Sequence, residues 1–389
     1  MRVAVVVEWA DPWRGGAETS TLQFVRHLTD QGIQVELFTR SRLSPVPGMG
    51  VQTIRVRNPS RGRCSARFAA IAARKVSGTY DLVHAITPCL AADIYEPRGG
   101  LVVEALERNV AIRSRPAAKA FKRLTARLNY RQRVMLRMQQ RLLTRRPPPM
   151  VIAISGYVAR QLKHHYHFPE SHIRQILNGV DPDQTDAAQR CADRDSIRAL
   201  YQIPPGDLLT LTVAHNFKLK GVGCWIASLC LLRDSPQAHG ARIQSLVVGG
   251  DHPLRWQRMA ARYGVADRIR FTGPTQRIAA FYHAADVLVH PTFYDPCSRV
   301  VLEAMMSGLP VVTTRFDGSA DVVEDGVSGF VLQTPTDVAG LADRVRRLSD
   351  PALRARLAMR AQLLESRISM RRHAEQVVKL YRSLVPARS

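Results

Sequence analysis

Short apolar runs alternate with helical patterns along the whole chain, and this alternation restricts the fold more than any other feature. The strand candidates of the first half are 2–7, 35–39, 52–56, 82–85 and 151–155. Those of the second half are 209–214, 243–248, 269–272, 286–290, 310–314 and 330–332. Helical patterns fill the gaps, as at 16–30, 221–233, 276–283 and 299–306. Apolar strands that alternate with helices predict parallel sheets covered on both faces.

The alternation runs through two halves of the chain, so we expect two doubly wound α/β domains. A chain of 389 residues exceeds what one ordinary hydrophobic core accommodates. The segment NGVDPD at 178–183 has the composition of a turn and supplies the boundary. We predict an N-terminal Rossmann-like domain at 1–177 and a C-terminal one at 178–370. Residues 371–389 are predicted as a C-terminal helix that can cross back to the N-terminal domain.

The positive charge of the chain is concentrated in its first half. Apolar residues make up 46% of the chain, which supports a large core and argues against global disorder. The net charge is +24; residues 1–180 hold 29 Lys/Arg and 11 Asp/Glu, whereas 181–389 hold 27 and 21. No acidic residue occurs between Arg108 and Phe168. A surface of this kind attracts phosphate-bearing partners.

A long basic helix is predicted within this acid-free stretch, at 116–146. Basic residues lie on several of its faces, and the segment RRPPP at 145–149 stops it, because proline cannot continue a helix. Two interpretations stay open. The helix is either solvated, or it docks at an interface on anionic lipid or on acceptor phosphates.

The cysteines and the hydropathy pattern indicate the compartment. The six cysteines form no C-x-x-C pair, so neither a zinc nor a disulfide framework is indicated and a reducing cytoplasm is the simplest setting. The apolar run at 3–7 is too short for a signal-peptide core, and no uncharged apolar run approaches the ~20 residues that span a bilayer. We expect a cytoplasmic protein, either soluble or bound peripherally to the cytoplasmic face of the inner membrane.

The strongest functional signal is the segment HPTFYDPCSRVVLEAMMSGLPVVTTRFDG at 290–318. A strand ends at His290, a loop carries Asp295, and a helix begins near Ser298 with Glu303 about one turn inside it. A helix N-terminus offers unpaired N–H groups and a positive dipole end to a diphosphate. Carboxylates accept hydrogen bonds from the hydroxyl pairs of a sugar or ribose. The alternative is an acid that complements the helix dipole, together with a solvated Glu.

A family resemblance rests on this segment and on shorter motifs. Asp295-x7-Glu303, followed by Ala304 and Gly308-Leu309-Pro310-Val311-Val312, resembles the E-x7-E region of retaining GT-B glycosyltransferases of family 4. Within that family the chain is most similar to the bacterial lipopolysaccharide core α-glucosyltransferases that act on heptose. The resemblance covers nearly the whole chain, and its other motifs are Gly15-Gly16, Asn178-Gly179-Val180-Asp181, Lys220-Gly221, Val248-Gly249-Gly250, Phe271-Thr272-Gly273, Ala284-Ala285-Asp286 and His290-Pro291. Their order and spacing are specific for the family but not for its substrate.

The resemblance implies roles for individual residues. Glu303 would hold the ribose hydroxyls, Asp295 would contact the donor sugar, and Lys220 would neutralise the charge of the leaving group. Backbone amides around Arg299 and Val300 would cap the diphosphate, and Ser298 would also take part in binding the donor. Gly15-Gly16 would let the N-terminal loop approach donor phosphate and acceptor, because glycine tolerates conformations that other residues avoid.

The chain departs from the family pattern at the sugar and phosphate positions. The first acid of E-x7-E is usually Glu and is Asp295 here, one methylene shorter. The family usually has Arg where this chain has His215, and the core glucosyltransferases have an Arg-Lys pair where this chain has Leu219-Lys220. Lys218 or Arg299 could supply the missing charge, although a lysine is a point charge and not a planar fork.

Histidines and paired aspartates are further candidate site residues. His84 lies at a predicted strand end, where members of the family often carry a histidine. It is either a catalytic residue or a buried structural one. His164, His165 and His167 lack a carboxylate or Cys partner in the sequence that would complete a metal site. Two Asp-x-Asp pairs, which hold a metal in the other large glycosyltransferase fold, fall here in a turn and at a polar helix start: Asp181/Asp183 and Asp193/Asp195. We therefore expect no metal and no other cofactor.

The sequence thus predicts a GT-B enzyme whose two domains face a cleft. It would transfer a hexose with retention, from a nucleotide diphosphate sugar that is UDP-linked, to a cell-envelope glycan or glycolipid such as the lipopolysaccharide core. The basic N-terminal domain would meet the acceptor at an anionic membrane surface. The alternative is a nucleic-acid- or anionic-lipid-binding protein that keeps the fold without catalysis; no nucleic-acid partner is expected, because few aromatics interleave with the basic run.

Overall fold

The computed structural model describes residues 1–11, 15–43, 48–57, 60–233 and 242–385. The chain divides into two compact units. The first unit holds Met1–Asp181 together with Ile368–Ser389, and the second holds Pro182–Arg367. The divisions therefore fall a few residues from the expected ones, after 181 instead of 177 and after 367 instead of 370.

The first unit is a seven-stranded parallel sheet with helices. Its strands are β1 (Arg2–Val6), β2 (Gln34–Thr39), β3 (Met49–Thr53), β4 (Leu82–Ala85), β5 (Ile94–Tyr95), β6 (Met150–Ala153) and β7 (Ile173–Gln175). Its helices are α1 (Gly16–Asp30), α2 (Arg61–Val76), α3 (Val102–Ala111), α4 (Pro116–Leu128), α5 (Tyr130–Leu143), α6 (Gly156–Tyr166) and α15 (Met370–Leu384). The strand order β3-β2-β1-β4-β5-β6-β7 reverses direction beside β1, which is the doubly wound arrangement.

Three strands of the first unit differ from the sequence prediction. Two strands were missed: β5 has only two residues, and β7, at the sheet edge, is mostly exposed, so neither carries an apolar run long enough to be recognised. The strand predicted at 52–56 pairs at Met49–Thr53 instead. Its residues are largely exposed, so the apolar pattern fixed its position poorly.

The long helix predicted at 116–146 is two helices, and that prediction was wrong. Asn129 has an extended backbone (φ −71°, ψ 103°) between α4 and α5. Its side chain accepts a hydrogen bond from the Gln132 N–H at 3.1 Å and so caps α5. A short polar side chain that caps well competes with helix continuation, which periodicity alone does not detect.

The C-terminal helix α15 is part of the core of the first unit. Met370, Val377 and Tyr381 are fully buried in the same apolar cluster as Val3 and Phe24. The neighbouring backbone comes close at Gly179, where a Cβ atom would lie 2.5 Å from the Ser369 carbonyl oxygen. The last helix of the chain is therefore fixed against the first strand and first helix.

The second unit is a six-stranded parallel sheet of the same type. Its strands are β8 (Leu208–Val213), β9 (Ile243–Val248), β10 (Ile269–Gly273), β11 (Val287–Val289), β12 (Val311–Thr314) and β13 (Gly329–Leu332). Its helices are α7 (Ala187–Leu200), α8 (Val222–Arg233), α9 (Leu254–Arg262), α10 (Ile278–Ala284), α11 (Arg299–Met306), α12 (Val338–Arg347), α13 (Pro351–Gln362) and, at the division, α14 (Glu365–Ile368). The order β10-β9-β8-β11-β12-β13 reverses between β8 and β11. The predicted α/β class with doubly wound parallel sheets is confirmed in both units.

Within the described ranges, none of the helices combines the length and apolar composition that crossing a bilayer requires.

Candidate active site

The candidate site of the second unit lies where its strand order reverses. Loops that follow the carboxyl ends of β8 and β11 meet there, which is where open α/β sheets bind ligands. Gly221 makes the approach possible: its φ is +72°, and a Cβ atom would lie 2.0 Å from the Pro291 carbonyl oxygen. Only glycine accommodates both conditions. Lys220, the preceding residue, is thereby brought beside the loop that carries Asp295.

Lys220 and Asp295 form an ion pair in this site. The Lys220 ammonium donates to Oδ2 of Asp295 and, at 3.3 Å, to the Tyr294 carbonyl oxygen. Burial opposes ionisation of Asp295, but the charges of Lys220 and His290 outweigh it and hold the pKa of this carboxyl well below its usual range. Asp295 is therefore ionised near neutral pH, and the structure brings it together with Lys220.

The start of α11 is fixed by an aspartate that sequence reasoning missed. The Asp317 carboxylate accepts hydrogen bonds from the backbone N–H of Ser298 at 3.0 Å, the Ser319 N–H at 2.9 Å and the Thr313 hydroxyl at 2.8 Å. Burial and the nearby Asp295 raise the pKa of Asp317. The sequence feature that could have identified Asp317 is its position three residues after the apolar strand β12, at the same sheet edge as the site.

A buried histidine lies between Asp295 and the start of α11. His290 Nε2 lies 3.7 Å from Oδ2 of Asp295 and 3.3 Å from the Ser298 hydroxyl. The first turn of α11 contains Arg299 and Val300, whose amides are those implied for diphosphate contact. The structure thus places Ser298, Arg299 and Val300 at the N-terminus of α11, beside the pair of Lys220 and Asp295.

Glu303 lies one turn into α11, and both of its carboxylate oxygens are engaged. The Tyr282 hydroxyl donates to Oε2 at 2.9 Å, and the Arg299 guanidinium donates to Oε1 at 2.9 Å. The Glu303 side chain remains 26% exposed. Glu303 is therefore held in one orientation while part of its side chain stays accessible. Tyr282 was not predicted, because nothing in its local sequence links α10 to Glu303.

The remaining donor-site candidates of the second unit lie in the loop after β8. His215 is exposed and Lys218 is half-buried. Asn216 organises this loop, since its side chain accepts from the Leu219 N–H at 3.0 Å and its carbonyl accepts from the Lys220 N–H at 3.0 Å. His215 and Lys218 thus share one short loop with Lys220.

In the first unit, Gly15 and Gly16 occupy the corresponding position after β1. Gly15 is the N-cap of α1 and Gly16 is its first residue. The adjoining residues 12–14 lie outside the described part of the chain, so the loop that the resemblance assigns to donor and acceptor contact is described only from Gly15 onward.

The environment of His84 favours the structural alternative over the predicted catalytic role. His84 is completely buried; Nδ1 lies 2.5 Å from the Tyr381 hydroxyl of α15, and Nε2 lies 3.0 Å from Oε2 of Glu96. Glu96 also accepts from the Arg98 guanidinium at 2.8 Å. His84 is thus enclosed in a buried polar cluster of the first unit, which favours the structural alternative. The sequence had left the buried alternative open, and α15, which buries it, is almost 300 positions away.

The histidine run and the Asp-x-Asp pairs have local partners. The expectation that no carboxylate accompanies the histidines was wrong, because Glu104 Oε2 lies 2.7 Å from His165 Nε2 and Glu107 lies close by. Glu104 also accepts from the Tyr157 hydroxyl at 2.9 Å and pairs with Arg108 at 3.1 Å, so the group is a satisfied ion-pair network.

The two members of each Asp-x-Asp pair differ in their contacts or in their burial. Asp181 contacts His27 at 2.7 Å in the first unit. In the second unit Asp183 and Asp193 contact opposite nitrogens of His283, at 2.6 and 3.0 Å. Asp195, in contrast to Asp193, is exposed. Neither Asp-x-Asp pair therefore presents two carboxylates converging on one point.

Comparison with known proteins identifies glycosyltransferase sequences in both halves of the chain. A family model described as "Glycosyltransferase Family 4" matches residues 14–184, and one described as "Glycosyl transferases group 1" matches residues 209–350. A D-inositol 3-phosphate glycosyltransferase of Nocardiopsis dassonvillei is 27% identical over 96% of this chain and 91% of the relative. The lipopolysaccharide glucosyltransferase WaaG of Escherichia coli K12 is 30% identical over 47% of this chain and 48% of WaaG.

Solved structures share the whole architecture. The crystal structure of WaaG matches with a TM-score of 0.79 at 20% identity, covering 98% of this chain and 99% of WaaG. Anabaena HepE, solved with UDP and glucose, matches with a TM-score of 0.69 at 18% identity, covering 98% and 100% of the two chains. Two doubly wound units that match these structures define the GT-B fold. With both family models matched in order along the sequence, the chain belongs to glycosyltransferase family 4.

Proposed function

We propose that this glycosyltransferase moves a hexose with retention from a UDP-linked sugar to a cell-envelope glycan or glycolipid, such as the lipopolysaccharide core. One observation carries the proposal. The pair of Lys220 and Asp295, the N-terminal turn of α11 and the oriented Glu303 converge at the reversal point of the second sheet. The Lys220 ammonium and the amide donors of α11 suit a diphosphate. The carboxylates of Asp295 and Glu303 suit the hydroxyls of a sugar and of a ribose.

The donor and acceptor classes draw support from the relatives. HepE is solved with UDP-glucose, which favours a UDP-linked hexose here. WaaG is a lipopolysaccharide glucosyltransferase, and the relative from Nocardiopsis dassonvillei is a D-inositol 3-phosphate glycosyltransferase. A phosphorylated acceptor agrees with the positive charge of the first half of this chain. Retention rests on the E-x7-E resemblance.

Catalysis in this proposal rests on positioning and on stabilising the departing diphosphate. Lys220 and the amide donors at the start of α11 face charge that develops on the leaving group. Asp295, ionised and held by Lys220, accepts a hydrogen bond from the donor sugar. We propose that no metal takes part, because Asp183 and Asp193 are already committed to His283 and Asp181 to His27.

A panel of nucleotide sugars, tested by thermal unfolding of the purified protein, examines this proposal. A ligand at a hundred times its Kd adds about 2.7 kcal/mol to the free energy of unfolding, so the cognate donor should raise Tm clearly. UDP-hexoses should stabilise the protein, and GDP- and CDP-sugars should not. If no nucleotide sugar stabilises it, or a nucleic acid does so instead, the proposed function fails.

Slow hydrolysis of the donor without acceptor separates an active enzyme from a scaffold. An active enzyme should release UDP, and the release should stop when Lys220 is replaced by Met. Stable binding of the donor with no hydrolysis and no transfer to any membrane extract would favour the non-catalytic alternative.

We also propose that the first unit docks on an anionic membrane through α4. The exposed fractions of Phe121, Leu124 and Leu128, on this helix, are 68%, 56% and 70%. Lys122 and Arg123 lie on the same helix, which has no acidic residue in its first turn. Large apolar side chains beside cations on a surface helix are typical of interfacial binding. The side chain of Arg127 lies outside the described residues.

A further inference from the structure

Tyr282 is a buried residue that the proposed reaction does not yet use. It lies in α10, two residues before the end of that helix, and only 3% of it is exposed. Its hydroxyl nevertheless has a defined partner, Oε2 of Glu303 in α11, at 2.9 Å. Burial, and then the charge of Glu303, raise the pKa of Tyr282 well above its usual value, so the hydroxyl stays protonated and donates.

The Glu303 carboxylate is held from two directions. Tyr282 donates to Oε2, while Arg299, one turn earlier in α11, donates to Oε1. An ionised carboxylate has about four lone-pair sites, two on each oxygen. One site on each oxygen is thus occupied by the protein, and one on each oxygen remains for a ligand. Two adjacent acceptors at fixed spacing match a vicinal diol, which presents two hydroxyl donors.

We propose that Tyr282 is a positioning residue that orients Glu303 toward the vicinal hydroxyls of the donor ribose and so makes the site selective for ribonucleotides. The inference rests on the proposed function, because it requires that Glu303 bind the nucleotide. Tyr282 does not touch the ligand. It restricts the Glu303 side chain, which otherwise loses rotamer freedom only upon binding.

A purely structural role would have different consequences. If Tyr282 only joined α10 to α11, its loss would weaken every ligand of the second unit alike. If it orients Glu303, its loss weakens only ligands that carry the two ribose hydroxyls. Uridine diphosphate and its dideoxy analogue, which lacks both hydroxyls, differ in this one respect.

The experiment compares the affinities of both nucleotides by calorimetry for the full-length protein and for Tyr282→Phe. The parent should prefer uridine diphosphate by about tenfold or more, as expected for hydrogen bonds to a charged acceptor. Tyr282→Phe should reduce this preference by about threefold or more and leave the affinity for the dideoxy analogue within about twofold. Tyr263→Phe, a control at an exposed tyrosine of the same unit, should leave the preference unchanged.

A double-mutant cycle with Glu303→Gln completes the test. If Tyr282 acts through Glu303, adding Tyr282→Phe to Glu303→Gln should not change the preference further. An unchanged preference in Tyr282→Phe, or equal losses of affinity for both nucleotides, overturns the positioning role alone. A parent that binds both nucleotides equally also overturns it, and in addition removes Glu303 from the ribose site of the proposed function.

Discussion

At the scale of single residues, the charge of Lys220 is the feature on which the proposed chemistry depends. Its ammonium is paired with Asp295 within the second unit and is only partly exposed. A diphosphate that uses this ammonium must share it with Asp295, so two negative groups face one cation. The sugar contact proposed for Asp295 and its observed pairing with Lys220 therefore have opposite effects on nucleotide affinity.

Replacing Asp295 by Asn should separate these roles. Removing the negative charge leaves Lys220 available to phosphate, so the affinity for UDP should be kept or should rise. Transfer should fall by about a hundredfold or more, the usual loss when one preorganised polar group of an active site is removed. Calorimetry with UDP and steady-state transfer rates measure the two effects.

The control for this variant is Asp267→Asn, an exposed acid of the same unit that should change neither quantity. A loss of UDP affinity as large as the loss of turnover would contradict the assignment of Asp295 to the sugar.

At the scale of elements, α15 is attached to the first unit by a buried polar cluster. His373 and Tyr381 of α15 meet Glu96, His84 and Arg98, and all of them are at most 5% exposed. Burial opposes the charge of Glu96, but Arg98 and the two histidines outweigh it and hold its pKa well below the usual value. Burial lowers the pKa of His84, so this histidine is neutral in the fold.

The cluster predicts acid sensitivity. Glu96 has a depressed pKa, so its contribution is present above the unfolded pKa of about 4.3 and is lost as pH falls below it. Glu96→Gln should lower the free energy of unfolding at pH 7 by about 3–5 kcal/mol, because Arg98 is left buried without its partner. The variant should also lose less stability than the parent between pH 5 and pH 3. Chemical unfolding at several pH values measures both.

Glu375→Gln is the matched control on the same helix. Its ion pair with Arg371 lies at the surface, with side-chain exposures of 45% and 80%, and should contribute at most about 1 kcal/mol. If Glu96→Gln destabilises the protein no more than this control, the buried cluster does not hold α15.

The basic helices α4 and α5 carry the membrane prediction. Each Lys or Arg near an anionic surface contributes about 1 kcal/mol, decaying within a Debye length of ~8 Å at physiological salt. Neutralising four arginines together should therefore reduce sedimentation with anionic vesicles, and salt should release the parent. These residues are Arg123, Arg127, Arg131 and Arg137. Binding of UDP should be unchanged, because the donor residues belong to the second unit.

A control set of four arginines on or near α9 of the second unit keeps the change in net charge equal. Its members are Arg255, Arg258, Arg262 and Arg268. If both sets reduce vesicle binding to the same extent, net charge alone explains it. If neither reduces it, α4 and α5 are solvated helices, as the other interpretation of the sequence held.

At the scale of the whole molecule, the proposed mechanism uses side chains and helix N–H groups in place of a metal. EDTA should therefore leave transfer nearly intact, and added Mn²⁺ or Mg²⁺ should not raise it. Transfer rates before and after chelation, with the metal content of the protein measured in parallel, test this. Activity that is lost with EDTA and restored by a divalent ion would contradict the metal-free mechanism and return attention to the acidic groups near the donor site.

The period of the apolar residues was enough to predict the α/β class and most strands, since burial on both faces of a parallel sheet leaves a local pattern. The spacing of Asp295 and Glu303 likewise predicted a loop followed by one helical turn, because both residues belong to a single continuous segment. Lys220 was included only through family resemblance. The helix break at Asn129 was missed, because a helix cap depends on side-chain geometry and not on the spacing of apolar residues.

Tertiary structure alone decided which distant residues meet. His84 is buried because α15 packs against β4, where Tyr381 contacts it. Tyr282 donates to Glu303 because α10 lies near α11. Asp317 joined the site because β12 lies beside β11 in the sheet. Such contacts follow from the order of strands across a sheet. That order is set by crossovers and close backbone approaches, such as that of Gly221 to Pro291, which leave no periodic trace in the sequence.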